Sequence, residues 1–369
     1  MVDISPAPFS FRKPFGLARW SVVAPLLVLL GVALGKPEGI GPAIVLGILL
    51  GAAILAAVYH AEVLAHYLGE PFGTLVLALA VTVIETSLIV SIMLSEGAQA
   101  QALARDTLIA AIMITINGIV GVCLLAGGRI HHEQSYTQYG VSVGLAMLAT
   151  LSVLTLVLPN FTTSEQGPFY SNQQLVFVAV VSLIIYATFV MAQTIRHRGY
   201  FLFDEEDGGD HAHEEPIPAR KAYAAGVMLL VALVGVVFVA KNLSPVIEAG
   251  VSAIGAPRAL VGIIIAALVL APEGFAAVRA AKANRVQTSL NLAIGSALAT
   301  IGLTIPAVAI VALMLGLELE LGLSMRSIVL LALTLLVATL TLSRGRTTIV
   351  QGVIHLVIFA TYLFTTIVP

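Results

Sequence analysis

Long apolar stretches separated by short polar segments follow one another along the whole chain, and their spacing predicts eleven membrane-spanning helices. About 20 apolar residues let a helix cross the hydrocarbon core of a bilayer, and Gly, Pro and charged residues between the stretches mark the expected helix ends. The pattern therefore indicates an all-α polytopic membrane protein. The predicted spans cover residues 17–34, 41–66, 72–95, 106–127, 139–159, 172–195, 221–240, 257–279, 287–315, 327–343 and 347–368.

A polar connector interrupts this pattern between the sixth and seventh spans. The segment DEEDGGDHAHEEPIP holds seven of the 20 acidic residues and is too polar to enter a membrane. Five spans follow the connector, and five lie between it and the first span. Because each group has an odd number of spans, the two groups have opposite topology, as in transporters built from inverted-topology repeats. The predicted organisation is a tail with a peripheral first helix (1–35), a first repeat (36–198), the connector (199–219) and a second repeat (220–369).

Composition excludes several classes of protein. Only 10% of the residues are charged and 59% are hydrophobic, whereas soluble proteins carry about 25% charged residues. A net charge of −2 offers no basic surface to a nucleic acid, so we expect no nucleic-acid partner. The single cysteine, Cys123, lies in an apolar stretch and cannot form an intrachain disulfide.

Basic residues predict how the chain is oriented in the membrane. The first apolar stretch follows Arg12, Lys13 and Arg19 as a signal peptide would, but its length and the lack of a small-residue cleavage site indicate a retained helix. With a cytoplasmic N-terminus, 13 of the 18 Lys and Arg residues fall on the cytoplasmic side, as the positive-inside rule requires. The C-terminus is then outside. The five basic residues predicted outside are Lys36, Arg105, Lys241, Arg258 and Arg326.

Two glutamates lie deep inside predicted spans. An acidic side chain at the centre of the hydrocarbon costs roughly 2.5–3.5 kcal/mol, so such residues are rare without a function. Glu85 lies past the middle of the third span, in LVLALAVTVIETSLIVSIML, and Glu273 lies past the middle of the eighth, in VGIIIAALVLAPEGFAAV. These spans are the second helices of the two repeats. We therefore expect the two carboxylates to meet near the membrane midplane from opposite directions.

The neighbours of the glutamates offer oxygen atoms. Thr82 and Thr86 flank the first glutamate, and Pro272 and Gly274 flank the second, where we expect a discontinuous helix with free backbone carbonyls. Hard cations such as Ca²⁺ take 6–8 oxygen ligands, and a desolvated carboxylate favours its protonated form. A site that holds either a cation or protons predicts a cation/proton antiporter. The simpler alternative is two packed acids satisfied by threonines and backbone groups.

Other polar residues within the spans have two interpretations each. Ser296, Thr300 and Thr304 recur every four residues on one face of the ninth span, either lining the site or making close helix contacts. For His355, which lies inside the last span, a role as a packed histidine is favoured over a role as a proton relay.

The second span carries a possible metal cluster of His60, Glu62 and His66. At about 100° per residue only Glu62 and His66 share a face. Hydrogen bonding at the membrane interface is the favoured role of this pair, and a vestibule for protons and cations is the alternative.

These residues resemble those of the calcium/proton antiporters of the calcium/cation antiporter superfamily, most closely the bacterial ChaA type. The resemblance implies that Glu85 and Glu273 bind the cation and protons in alternation, and that Asn291, Ser296 and Thr300 line the site from the ninth span. It also implies location in the bacterial inner membrane. The matching segments are HAEVLAHYLGEPFGTL leading into VTVIETSLIV, then RDTLIAAIMITINGIVGVCLLAGG and LAPEGFAAVRAAKANRVQTSLNLAIGSALATIGLTIP.

The chain departs from the family pattern at several positions. Before the first glutamate it has Thr82 where many members have Asn, and Ala299 stands in place of a Gln in the second repeat. In the helix after Glu85, Ala111 and Thr115 replace a Ser and an Asn, with Asn117 nearby. Fewer side-chain oxygens leave the choice between Ca²⁺, Na⁺ and K⁺ open.

The expected function is export of Ca²⁺, or of Na⁺ or K⁺, in exchange for protons, without a cofactor and without enzymatic activity. A proton-coupled transporter of another small solute is the alternative, although the single Trp20 lies at a membrane edge and no Lys or Arg is deep. The connector is either a solvated linker or, as the resemblance suggests, a regulatory segment made pH-sensitive by His211 and His213.

Overall fold

The computed structural model describes residues 16–33, 35, 39–69, 72–96, 101–197, 217–253 and 255–368. Most of the acidic connector, with His211 and His213, lies outside the described residues, as do Arg12, Lys13 and Lys36. The chain forms α1 (Arg19–Ala33), α2 (Ile40–Leu68), α3 (Phe72–Glu96), α4 (Leu103–His131), α5 (Gln138–Phe161), α6 (Asn172–Arg196), α7 (Ala219–Ala253), α8 (Ala259–Lys282), α9 (Val286–Leu315), α10 (Met325–Leu342) and α11 (Ile349–Ile367).

The helices confirm the predicted all-α polytopic membrane fold. Of the residues described, nine helical segments are long and apolar enough to cross a membrane, and α1 and the Leu79–Leu94 part of α3 are shorter apolar helices. The predicted span 221–240 agrees with the membrane-spanning part Ala219–Val239, and the helix itself continues beyond it to Ala253 through Pro245. Leu243 and Val251 of this extension are buried, so packing maintains the helix beyond its most apolar part.

Local signals set several helix ends. Ser171 caps α6 in a reciprocal arrangement with Gln174. The Ser171 side chain accepts from the backbone N–H of Gln174, and the Gln174 side chain accepts from the backbone N–H of Ser171. Thr348 and Gln351 form the same capping box at the start of α11. The predicted starts of both helices agree with these caps within two residues.

Short π-helical turns interrupt two central helices. The turn Met113–Ile119 lies within α4, and the turn Thr300–Thr304 lies within α9. The first packs against α8 and α11, and the second packs against α3 and α6. This reciprocal packing relates α3, α4 and α6 to α8, α9 and α11. It supports the predicted inverted repeat, whose boundaries stay a prediction.

The two halves of the chain interlock. The central helix α4 packs against α8, α9 and α11, and α2 packs extensively against α7. The first helix, α1, contacts α2 and α7. In the most apolar window of α4, 89% of the residues are buried inside the protein. The core therefore sits between the halves.

Small residues permit the closest of these helix contacts. A Cβ atom on Gly352 of α11 would lie 2.6 Å from the backbone nitrogen of Leu125 in α4. A Cβ on Gly302 of α9 would lie 2.7 Å from Cβ of Tyr186 in α6. Close backbone approach at small residues is the usual way in which helices associate in a membrane.

Polar contacts involving the loops lie at the two ends of the bundle. At one end, strand β1 (Gln134–Ser135) pairs with β2 (Arg346–Thr347), and Gln134 Nε2 donates to the Ala281 carbonyl oxygen at 3.0 Å. The loops at this end carry basic residues that the sequence placed in the cytoplasm.

At the other end, Arg105 forms ion pairs with Asp106 and Glu320. Near it, Asn160 Nδ2 donates to the Leu323 carbonyl oxygen at 3.0 Å. The described basic residues predicted on the cytoplasmic side thus lie at one end of the bundle, and those predicted outside lie at the other end.

Candidate functional site

The deepest acidic side chain is Glu85, near the middle of α3 and only 2% exposed. Thr304 Oγ1 donates a hydrogen bond of 3.0 Å to Glu85 Oε2, and the hydroxyl of Thr300 is a second donor. Both threonines come from the π-helical turn of α9, which packs directly on α3. The turn therefore supplies the polar partners of this carboxylate.

The second glutamate, Glu273, lies on α8 and is partly buried. Its Oε2 atom is buried and has no hydrogen-bond partner within the part of the chain that the structure describes. The same holds for Oγ1 of Thr86, which follows Glu85. Buried polar atoms normally have partners, so a carboxylate oxygen in this state has coordination capacity to spare.

The two glutamates lie within electrostatic range of one another. Glu62 also interacts electrostatically with Glu273. Glu62 in turn interacts electrostatically with His66 and Arg279. Two carboxylates that interact in a water-poor interior repel each other unless a proton or a cation neutralises them.

A cavity of about 130 Å³ opens beside Glu273 between α3, α6, α8 and α9. It brings together five of the residues that the sequence assigned to the site. They are Thr82, Glu273, Asn291, Ser296 and Thr300. Glu85 lies directly behind, hydrogen-bonded to Thr304 and Thr300.

The sequence did not predict what α6 contributes. Tyr186 and Gln193 of this helix line the cavity, and Tyr186 lies against Gly302 of the π-helical turn. An amide such as that of Gln193 in an otherwise apolar helix was a signal that could have identified it. Thr304 was noticed only for its position on the face of α9, and its bond to Glu85 was not foreseen.

The predicted break at Pro272 was wrong. Helix α8 is continuous from Ala259 to Lys282 and contains Pro272 within it. A membrane helix tolerates proline when its surroundings satisfy the freed backbone groups. The departure from α-helical geometry lies instead in the next helix, at Thr300–Thr304.

The possible metal cluster of α2 is separated in the structure. His60 is fully buried and its Nε2 lies 2.8 Å from the Ser21 carbonyl oxygen of α1. Glu62 and His66 are exposed, and His66 Nδ1 lies 2.8 Å from the Glu62 carbonyl oxygen. Among the described residues, nowhere do three or more His, Cys, Asp or Glu side chains come together as a metal site would need.

The residues of α4 that depart from the family pattern are buried but face elsewhere. Thr115 Oγ1 donates to the Ala111 carbonyl oxygen at 2.7 Å. Asn117 Nδ2 donates to Thr334 Oγ1 of α10 at 2.8 Å. The cavity lining therefore draws its polar groups from α3, α6, α8 and α9.

Membrane-spanning helices around two acidic side chains beside a small cavity are typical of secondary ion transporters. The chain belongs to the sodium/calcium exchanger protein family, whose model matches residues 39–195 and 224–368. This confirms the resemblance drawn from the sequence, and the family is one of transporters.

Two relatives match over most of their length. The sodium-potassium/proton antiporter ChaA of Escherichia coli is 36% identical over 352 residues, covering 94% of this chain and 95% of ChaA. The protein y4hA of Sinorhizobium fredii, which carries the name of an ionic transporter, is 44% identical over 315 residues, 85% of each chain. The fold is similar to that of the H⁺/Ca²⁺ exchanger CAX, with a TM-score of 0.71, 17% identity and coverage of 93% of this chain and 86% of CAX.

Proposed function

We propose that the protein exchanges a cytoplasmic cation for external protons at Glu85 and Glu273. The unpartnered, buried Oε2 of Glu273 at a cavity shared with Thr82, Asn291, Ser296 and Thr300 carries this proposal. Carboxylate, hydroxyl and amide oxygens are the ligands that hard cations prefer. The same carboxylates take up protons when the cation leaves, because two bare charges are too costly in this interior.

The size of the cavity favours an inorganic ion as the cargo. Its volume of about 130 Å³ is well below the roughly 300–1,000 Å³ of pockets for drug-sized molecules. A proton-coupled transporter of a larger solute is therefore the weaker candidate. The similarity to ChaA supports Na⁺ and K⁺ as cargo, and the fold shared with CAX is compatible with Ca²⁺.

We further propose that this structure is a cytoplasm-facing state. Gln193 lies near the end of α6 and Asn291 near the start of α9, and both line the cavity. The predicted orientation places these helix ends in the cytoplasm. On the opposite side, the ion pair between Arg105 and Glu320 ties α4 to the loop before α10. In this state a cation would reach the site from the cytoplasm. Glu62 and His66 would form the vestibule that it passes, and the protein would lie in the bacterial inner membrane.

Everted vesicles test the exchange. With a proton gradient imposed, addition of Ca²⁺, Na⁺ or K⁺ should collapse the gradient, and the ion that acts at the lowest concentration identifies the cargo. Glu85→Gln and Glu273→Gln should each reduce exchange to the level of empty vesicles. The matched control is Glu133→Gln, because Glu133 is an exposed acid paired with Arg346 at 3.3 Å, and it should retain exchange. Full activity in either buried variant would refute the proposed mechanism.

A further inference from the structure

A series of hydrogen bonds leads from the cytoplasmic end of the bundle to the cavity. The backbone N–H of Thr137, just before α5, donates to Oε1 of Gln287 at 2.7 Å. Nε2 of Gln287 donates in turn to Oδ1 of Asn291 at 3.1 Å. Gln287 is 2% exposed and lies one turn before Asn291 on α9, and Asn291 lines the cavity. One buried side chain therefore joins the first half of the protein to a residue of the candidate site.

The first donor of this series fixes the orientation of both amides. A backbone N–H can only donate, so the atom of Gln287 that faces Thr137 is its side-chain oxygen. The nitrogen of the same amide then faces Asn291 and must meet an acceptor, which is Oδ1. A reversed Asn291 amide would place two N–H groups against each other. The backbone donor of Thr137 thus decides that Asn291 turns its oxygen towards Gln287.

The segment that carries this donor is itself held in place. The backbone N–H of Tyr136, the preceding residue, donates to the Gly345 carbonyl oxygen at 2.9 Å. Strand β1, just before it, pairs with β2, and Gln134 of β1 donates to the Ala281 carbonyl oxygen at 3.0 Å. These contacts tie the start of α5 to the end of α8 and to the turn between α10 and α11. The donor to Gln287 is therefore fixed by two separate parts of the second half.

The orientation of Asn291 matters because only the oxygen of an amide can coordinate a cation. The amide nitrogen offers hydrogens and no lone pair. The amide oxygen has two lone pairs, so the bond from Gln287 leaves this oxygen able to bind a second partner. Hydrogen bonds from outer residues commonly hold the ligands of a metal in the orientation that binds it.

We propose that Gln287 is a positioning residue of the cation site, which acts through Asn291 and holds its amide oxygen available to the cation. The inference rests on the proposed cation/proton exchange. Without Gln287 the Asn291 amide can rotate and present its nitrogen in place of the oxygen. The cation then binds more weakly, while the two glutamates at which it exchanges for protons are unchanged.

Substitutions at both positions test whether Gln287 acts through Asn291. Gln287→Met keeps the length of the side chain and removes both hydrogen bonds. In the vesicle assay with Ca²⁺, Na⁺ or K⁺, we expect the cation concentration for half-maximal exchange to rise about three- to tenfold, the effect of one neutral hydrogen bond. The maximal rate should be retained.

The double variant separates this role from simple packing. Asn291→Leu should also raise the half-maximal concentration, and addition of Gln287→Met to Asn291→Leu should raise it no further. Residues that act through one another show such non-additivity, whereas independent effects add. An equal effect of Gln287→Met in both backgrounds would overturn the proposal.

A change at the other end of the series gives a second test, which does not alter α9. The backbone of Thr137 has a φ of −77°, which proline also adopts, and its side chain makes no cap hydrogen bond. Thr137→Pro removes the N–H that orients Gln287 and should raise the half-maximal concentration as Gln287→Met does. Thr137→Ala keeps the N–H and should match the wild type. Equal values for the proline and alanine variants would contradict the proposal.

Failure of this inference is distinguishable from failure of the proposed function. Unfolding temperatures in detergent identify the variants that fold, and if Gln287→Met does not, the pair of Thr137 variants decides. Wild-type vesicles that exchange none of the three ions would overturn the proposed exchange and this inference with it. Normal exchange in the wild type without coupling between positions 287 and 291 would overturn the role of Gln287 alone.

Discussion

The hydrogen bond from Thr304 to Glu85 gives the most buried carboxylate a fixed donor inside the membrane. A hydrogen bond to a charged group is worth about 1.5–3 kcal/mol. Since the bond stabilises the ionised carboxylate, it favours the state that binds a cation over the state that binds a proton. In the proposed exchange, we therefore expect Thr304 to influence the balance between cation binding and proton binding at Glu85.

Thr304→Val should shift that balance. Without the donor, Glu85 holds its proton more tightly, so we expect half-maximal exchange at a pH higher by about one unit. Measurement of cation-induced proton flux from pH 6 to pH 9 checks this. Thr304→Ser keeps the hydroxyl and should behave like the wild type. An unshifted profile in the valine variant would show that the bond has no role in exchange.

The sequence predicted the acidic residues of the site better than their partners. Glu85 and Glu273 were identifiable because a lone charge in an apolar helix needs a function. Thr304 shares the predicted face of α9 with Thr300, but its partner Glu85 lies on another helix, and the sequence of α9 alone does not show which helix that face packs against.

The helices were predictable as elements, whereas their irregularities were not. Apolar length fixes the existence of a span, and caps such as Ser171 fix its start. One signal for the turn in α9 was present in the sequence: Pro306 lacks the N–H that would bond the Gly302 carbonyl in a regular helix. In α4 the segment MITINGI offers only Gly118 as a signal.

Contact between α4 and α11 depends on the absence of a side chain at Gly352. A Cβ there would lie 2.6 Å from the Leu125 nitrogen, so Gly352→Ala should force the helices apart. We expect a loss of about 1–3 kcal/mol, typical of an overpacked core, visible as a lower unfolding temperature in detergent. In Gly226→Ala of α7, nothing lies within 4 Å of the new Cβ, and stability should not fall. Equal effects of both substitutions would contradict this packing.

Across the whole molecule, the two related crevices differ in polarity. The crevice between α3, α6, α8 and α9 contains Glu273, Asn291 and Gln193. The crevice between α4, α8 and α11 is lined by apolar residues such as Ile114 and Phe359. The helices around the two crevices thus pack in a similar way, but only one of the crevices is lined by polar side chains. This agrees with a transporter whose site is open to one side at a time.

The orientation of the molecule is open to direct measurement. The native thiol of Cys123 is fully buried, so single added cysteines report their own position. In intact cells a membrane-impermeant maleimide should label Ser164→Cys in the exposed loop after α5 and should not label Ser343→Cys in the exposed turn after α10. After permeabilisation both should react. The reverse result would place the N-terminus outside and overturn the predicted direction of transport.

The burial of α4 has a consequence for how the protein is made. Its packing partners α8, α9 and α11 all belong to the second half, which the ribosome completes much later. Until then the newly inserted α4 exposes Thr107, Thr115 and Asn117, all buried in the finished protein, to lipid or to insertion machinery. We therefore expect the final packing of α4 to form only after α11 has been translated.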